Sequence, residues 1–379
     1  MSPMPLKPET IAAQAAGQID QATGGIVTPW QPSTTFVRDE AYQTPASGDV
    51  YRRPHSPTGR EAETIIAKLE GGTEAALFGS GLAAAAAMMR AAGGSVAVQR
   101  GSYYGTQVLA ERLADGAPIT FDGASLDSLA ETVATHAPKL VLIETPSNPF
   151  LDVISIREAA EIVHKAGAVL AVDSTTATPI LTRPLEHGAD IVMHSATKGL
   201  NGHSDVLAGV LVVGEGDRTL YDAALDIRAK EGCVLSPFDA WLLTRGMRTL
   251  HVRVREACRN AERLAAWLEA HPKVTKVRYP GLASHPAHNV AAAQMDGGFG
   301  ALMSFDVAGG AAEALAFAAR LTLIKRATSL GGVESLIEHR HSIEPPSTNM
   351  PPALMRFAVG IEAADDLIAD LDQALAALP

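Results

Sequence analysis

Three clusters of polar residues each follow directly on a short apolar run. Residues 140–143 lead into Glu144-Thr145-Pro146-Ser147-Asn148-Pro149, residues 169–172 into Asp173-Ser174-Thr175-Thr176, and residues 191–193 into His194-Ser195-Ala196-Thr197-Lys198. Such runs read as buried strands, and in an open parallel sheet ligands bind at the carboxyl ends of the strands. An amide (Asn148), a carboxylate (Asp173) and an amine (Lys198) are therefore expected along one edge. Lys198, flanked by small hydroxyl residues and followed by Gly199, suits an amine that loses its proton on burial and becomes nucleophilic. A surface lysine at a loop-to-helix junction is the alternative. Asp173 either meets a cationic partner at the end of its apolar strand or caps a helix with Ser174 and Thr175.

Two further segments carry chemistry. Residues 75–78, Gly79-Ser80-Gly81-Leu82 and the alanine-rich stretch 83–89 read as strand, glycine turn and helix, whose free N–H groups suit a phosphate. No Gly-Lys-Ser/Thr follows, and no GxGxxG succeeds a first strand, which argues against a P-loop and against a dinucleotide dehydrogenase. Arg356 alternates with apolar residues in 354–360, as a buried fork for a carboxylate or as a charge on an exposed edge strand. No metal site is expected. Proline interrupts His285-Pro286-Ala287-His288, and Arg340 stands between His339 and His341 as a repelling charge.

These residues need a scaffold, and the pattern supplies one. Residues 1–50 are rich in Pro, Thr and Gly and read as an extended arm with one short helix over 10–16. Residues 60–70 form a helix that stops at Gly71-Gly72. Apolar runs at 75–78, 95–98, 140–143, 169–172, 191–193 and 210–213 then alternate with amphipathic segments such as 156–166, which predicts βαβ units and a mostly parallel sheet over 51–235. From 236 to 379 the texture changes to one long helix (238–270, with a turn signal at Gly246), strand-like runs at 276–279 and 301–306, and a closing helix at 364–377. That is a smaller α+β domain.

The 379 residues suit two or three domains with a sizeable core. With 31 Lys+Arg against 42 Asp+Glu the net charge is −11, a poor match to nucleic acid or an anionic membrane. Cys233 and Cys258 have no CxxC spacing, so neither a disulfide framework nor a zinc knuckle is expected, and a reducing compartment is the simpler reading. The first nine residues hold three prolines and no apolar stretch, unlike a secretory signal, and no window resembles a membrane span. A cytoplasmic location is expected.

In order, Tyr51-x-Arg53, Leu69-Glu70-Gly71-Gly72, Ser80-Gly81-Leu82, the segment from Glu144 to Pro149, Asp173, Ser195-Ala196-Thr197-Lys198 with Gly202-His203-Ser204-Asp205, Ser329-Leu330-Gly331-Gly332-Val333-Glu334-Ser335-Leu336 and Arg356 with Gly360-Ile361-Glu362 fill nearly the whole chain. The set resembles the Cys/Met-metabolism family of pyridoxal-phosphate enzymes, which includes cystathionine γ-synthase, cystathionine β- and γ-lyases, methionine γ-lyase and the homoserine sulfhydrylases. The resemblance implies an α/β fold of type I, aspartate-aminotransferase-like, with a smaller C-terminal α+β domain.

It also implies roles. Lys198 would link the cofactor pyridoxal 5′-phosphate and later move protons, and Asp173 would keep the pyridinium nitrogen protonated. Tyr103 would stack on the ring, although Tyr104 stands where the family usually has glycine. Gly81, Leu82, Ser195 and Thr197 would hold the phosphate, joined by Tyr51 and Arg53 from a neighbouring subunit. That sharing requires a homodimer, and the family's usual assembly is a tetramer of two such dimers. Arg356, with Asn148 and Ser329, would clamp the carboxylate of an amino-acid substrate.

The activity so implied is a carbon–sulfur lyase cleaving cystathionine or a related thioether by α,β- or α,γ-elimination. The rival is cystathionine γ-synthase, replacing an O-acyl group of homoserine, and a third reading is a non-catalytic binder of the cofactor. Two departures bear on the subgroup. Thr328 stands where glutamate or tyrosine is usual, and His339-Arg340-His341 stands where many members carry proline and methionine.

Overall fold

The structure is a computed structural model that describes residues 6–114 and 116–378; residues 1–5 of the expected arm, Asp115 and Pro379 lie outside the described residues. Seven strands make the larger sheet: β1 (Glu74–Phe78), β2 (Val96–Arg100), β3 (Ile119–Asp122), β4 (Leu140–Glu144), β5 (Val169–Asp173), β6 (Ile191–His194) and β7 (Gly209–Val213). Their order is β1-β7-β6-β5-β4-β2-β3, and only β7 runs against the rest. Parallel neighbours need a helical crossover between them. The link from β6 to β7 holds no helix, so β7 returns antiparallel, and Lys198 rides in that link.

Helices bury both faces of this sheet, which explains the unbroken apolar runs. Ile65, Ile66 and Leu69 pack with Val192, Val210 and Val212 on one side, and Phe78, Met88 and Met89 with Leu142 and Leu211 on the other. The expected glycine stop is present: helix Pro57–Glu70 begins on the Ser56 hydroxyl and ends at Gly71 with φ 70°.

The second sheet holds β8 (Val274–Arg278), β9 (Leu302–Val307), β10 (Lys325–Arg326), β11 (Leu336–His339) and β12 (Leu354–Ala358), in the order β10-β11-β12-β9-β8. One face, with Met303, Phe305, Ile337, Met355 and Phe357, packs on Leu264, Leu268, Phe317 and Leu371. The register places Glu338, Arg356 and Ser304 opposite one another, so these three share the other face.

Several expectations need correction. The single helix over 238–270 is two, Pro237–Met247 and Leu250–Ala270. The Gly246 carbonyl accepts from Thr249 N (3.2 Å) and from Arg253 (2.9 Å), which turns the chain. The short helix of the arm runs Pro8–Ala13 and continues as a 3₁₀ turn, Ala15–Gly17. Strands β3, β10 and β11 were not expected. Cys233 and Cys258 are both free.

Candidate active site

A cavity of about 380 Å³ lies between the carboxyl edge of the larger sheet and the second sheet, within the size range of small-molecule sites. Ten of the twelve residues singled out from sequence line it: Gly81, Leu82, Tyr103, Asn148, Asp173, Ser195, Thr197, Lys198, Ser329 and Arg356. Tyr51 and Arg53 do not. They sit elsewhere on the chain, Arg53 lying over the Tyr51 ring at 5.4 Å, and both are exposed.

Asp173 closes β5 beside Glu144, the last residue of β4. Its Oδ1 accepts from the Thr175 backbone N–H (3.0 Å) and hydroxyl (2.5 Å). The contact is a local turn and not the helix cap of the alternative reading, since the next helix is Thr178–Leu181. Burial raises the Asp173 carboxyl above the usual range, opposed by the Thr175 bonds. Glu144 is raised further, by burial and by Asp173 beside it. The Glu144 carboxylate accepts from the N–H of Tyr103 (2.6 Å) and of Asn148 (2.7 Å), so it orients two other cavity residues.

At the head of helix Gly81–Ala91, the Ser80 side chain accepts from Ala83 N (3.1 Å). The first N–H groups of a helix have no partner within it, which leaves those of Gly81 and Leu82 for an anion. A Cβ at Gly81 would stand 2.8 Å from the Ser195 Cβ, so only glycine lets the helix start approach the β6 loop this closely. Ser195 N donates to Thr175 Oγ1 (2.8 Å). The Thr197 hydroxyl is engaged already, donating to Ala208 O (3.1 Å) and accepting from Ala208 N (2.9 Å). The Tyr103 ring is 41% exposed and free to cover a planar ligand.

Lys198 Nζ donates to Ser329 Oγ at 2.9 Å. Burial lowers the ammonium's pKa, Arg356 lowers it further, and Glu338 opposes. Lys198 is thus a half-buried amine and not the surface lysine of the alternative reading. Ser329 holds φ at 128°, a strained value for a non-glycine residue and one that clusters at functional sites. That conformation aims its hydroxyl at Lys198 and its carbonyl at Arg356 (2.9 Å). Gly331 fixes the loop: φ is 75°, and a Cβ would lie 2.6 Å from Gly199 N.

Arg356 lies on the central strand of its sheet and is 3% exposed, which removes the exposed-edge reading. Burial pulls its guanidinium down to about 10, against the pull of Glu338. Its Nε is buried without a partner, as is Oδ1 of Asn148. Three lining residues were missed as functional candidates: Glu144, Thr175 and Arg340. Glu144 and Thr175 stand inside motifs already quoted, and their position at strand ends was the available signal. Among the described residues no group of three or more His, Cys, Asp or Glu could hold a metal ion.

Comparison with known proteins decides the family. The model of the Cys/Met metabolism PLP-dependent enzymes matches residues 9–376.

The chain belongs to that family.

A cystathionine γ-lyase of Dictyostelium discoideum is 39% identical over 95% of each chain, and a cystathionine β-lyase of Coxiella burnetii 37% identical over 97% of each. The crystal structure of a cystathionine γ-synthase from Xanthomonas oryzae pv. oryzae in complex with cystathionine superposes with a TM-score of 0.93, at 38% identity and 98% coverage of both chains. The chain is therefore a pyridoxal-phosphate enzyme of fold type I. Its cavity fits that cofactor on its own terms: a helix start with hydroxyls for a phosphate, a carboxylate for a protonated ring nitrogen, an amine with lowered pKa for an aldehyde, and buried polar atoms left without partners.

Proposed function

We propose that this member of the family is a carbon–sulfur lyase that cleaves cystathionine or a related thioether amino acid and, with one water, releases a 2-oxo acid, ammonia and a thiol. The observation that carries the reading is the position of Lys198, whose Nζ lies in the same cavity as the Asp173 carboxylate and the Arg356 guanidinium. When bound, pyridoxal phosphate supplies an electron sink for the substrate carbon that loses a proton. Asp173 keeps the proton on the ring nitrogen, and Tyr103 covers the ring. The N–H groups of Gly81 and Leu82 and the Ser195 hydroxyl hold the phosphate, and the Thr197 hydroxyl joins them by turning its proton away from the Ala208 carbonyl. Arg356, with the Asn148 amide and Ser329, binds the α-carboxylate and so turns the Cα–H toward Lys198. The Lys198 amine takes that proton and returns one to the departing sulfur.

The exposed pair Tyr51 and Arg53 supports a shared site, in which a second copy's pair reaches the phosphate and the working unit is a homodimer or a tetramer of two dimers. Mixed assemblies of Arg53→Ala and Lys198→Ala subunits, each inactive alone, should then recover activity; verified hybrids without activity would exclude sharing. A cytoplasmic location accords with two free thiols and with the absence, among the described residues, of a helix long and apolar enough to cross a membrane.

Product analysis with L-cystathionine tests the lyase reading. Pyruvate identifies β-elimination, and 2-oxobutyrate with cysteine identifies γ-elimination. If neither forms while O-acylhomoserine and cysteine give cystathionine, the enzyme is a γ-synthase. A protein that retains the cofactor but turns over none of these would be a binder.

A further inference from the structure

Behind the Arg356 guanidinium lies a row of buried charges that the mechanism above does not use. Glu338 on β11 stands directly opposite Arg356 on β12. Its Oε2 accepts from Arg356 (2.8 Å) and from Arg340 (2.7 Å), and its Oε1 accepts from the Thr328 hydroxyl at 2.5 Å. The other arm of the Arg340 fork pairs with Glu344. The four charged side chains are each no more than 7% exposed, and both Arg340 and Thr328 also line the cavity. The row therefore reads Arg356, Glu338, Arg340, Glu344, alternating in sign, with its positive end at the cavity.

A buried carboxylate held by Arg356 alone would neutralise it, and a substrate carboxylate would have to compete for the fork. Two guanidiniums on one oxygen divide that carboxylate between them. We infer that Glu338 and Arg340 are positioning residues for the substrate: Glu338 fixes the Arg356 fork, and Arg340 draws on Glu338 so that Arg356 keeps positive charge for an incoming α-carboxylate. The inference rests on the reading of Arg356 as the carboxylate clamp. It gives Arg340 a function through Glu338 and no contact of its own with the ligand. The chain around it is pinned accordingly, His339 hydrogen-bonding Ser342 Oγ (2.6 Å) and Pro352 O (2.7 Å), and His341 bonding Met350 O (2.8 Å).

The test is binding of L-alanine, which has no leaving group, to the cofactor-loaded enzyme, followed through the absorbance of the bound cofactor. Arg340→Met should weaken L-alanine by at least about tenfold, because Glu338 then belongs to Arg356 alone. Adding Glu338→Gln should bring the affinity back to within about threefold of the unsubstituted enzyme. In turnover the single variant should raise KM with little change in kcat, the mark of lost ground-state binding. An unchanged affinity in Arg340→Met, or a double variant no better than the single, would overturn the inference. So would a loss confined to ligands with a second carboxylate, which would make Arg340 a ligand contact. If Arg340→Met fails to fold, Arg340→Lys carries the test, with about two- to fivefold weaker binding expected and none overturning. Arg356→Ala serves as the control: L-alanine binding unaffected by that change would bring down the clamp reading itself.

Discussion

At the Asp173 end of the cavity the polar groups arrive on neighbouring parallel strands, Glu144 facing Asp173 at the close of two apolar runs, with Met193 on the far side of Asp173. At the Arg356 end they come from an antiparallel sheet, where register brings Glu338, Arg356 and Ser304 together from distant parts of the chain. The electrostatics differ as sharply as the construction. Glu144 and Asp173 are two buried carboxylates whose charged forms burial disfavours, with no ion pair to another described residue at either one. Arg356 and Arg340 bring their own counter-ions, Glu338 and Glu344. Among the described residues the carboxylates of one end lack a counter-ion, and each guanidinium of the other already has a carboxylate beside it. An enzyme that must hold its cofactor through many turnovers, yet release each amino acid, is served by that asymmetry.

The sharpest way to break the comparison is at Lys198, where the two ends meet. Lys198→Ala should cut turnover by roughly 10²–10⁴-fold and abolish the absorbance of the lysine-linked cofactor. The cofactor should still bind, because the Asp173 end is untouched; equilibrium dialysis reads that retention. Next comes Gly331→Ala, which would push the Ser329 loop off the backbone at Gly199. A loss of about 1–3 kcal/mol is expected in urea denaturation, with a raised KM, since φ is positive and the obstructing atoms are backbone.

The smallest effect should be Asp173→Asn in the cofactor-free protein. The folded pKa of Asp173 lies above its unfolded value, so the folded state binds the proton more tightly and stability falls as pH rises from the unfolded toward the folded value. Above that window Asp173→Asn should stabilise the cofactor-free protein, by less than Gly331→Ala destabilises it, and weaken the loaded one. A melting temperature that moves the same way in both states would show that the two ends are not built on different electrostatic plans.

Much of the Asp173 end could be read directly from the chain, because a short apolar run followed by polar residues is a local signal. Ten of the residues singled out in this way line one cavity. The Arg356 end was harder. Leu336-Ile337-Glu338-His339 has two polar residues in four, which hides a fully buried strand, and Glu338 finds its partners only through tertiary register. Thr328 and Arg340 looked like departures from a family pattern; the structure makes them neighbours of one carboxylate. The break between helices Pro237–Met247 and Leu250–Ala270 escaped for a similar reason. Arg253 stabilises it by donating to Gly246, Gly199 and Leu200 carbonyls, contacts that no periodicity reports.

The Lys198–Ser329 hydrogen bond joins residues 131 apart in sequence, and that span orders events during synthesis. A chain made from its amino terminus lays down all seven strands of the larger sheet before β9 exists to carry the second. The ribosome therefore finishes the half of the cavity built around Asp173 and Lys198 well before the half built around Ser329 and Arg356. A product arrested ahead of Ser329 carries Lys198 with no hydroxyl facing it and no arginine behind it.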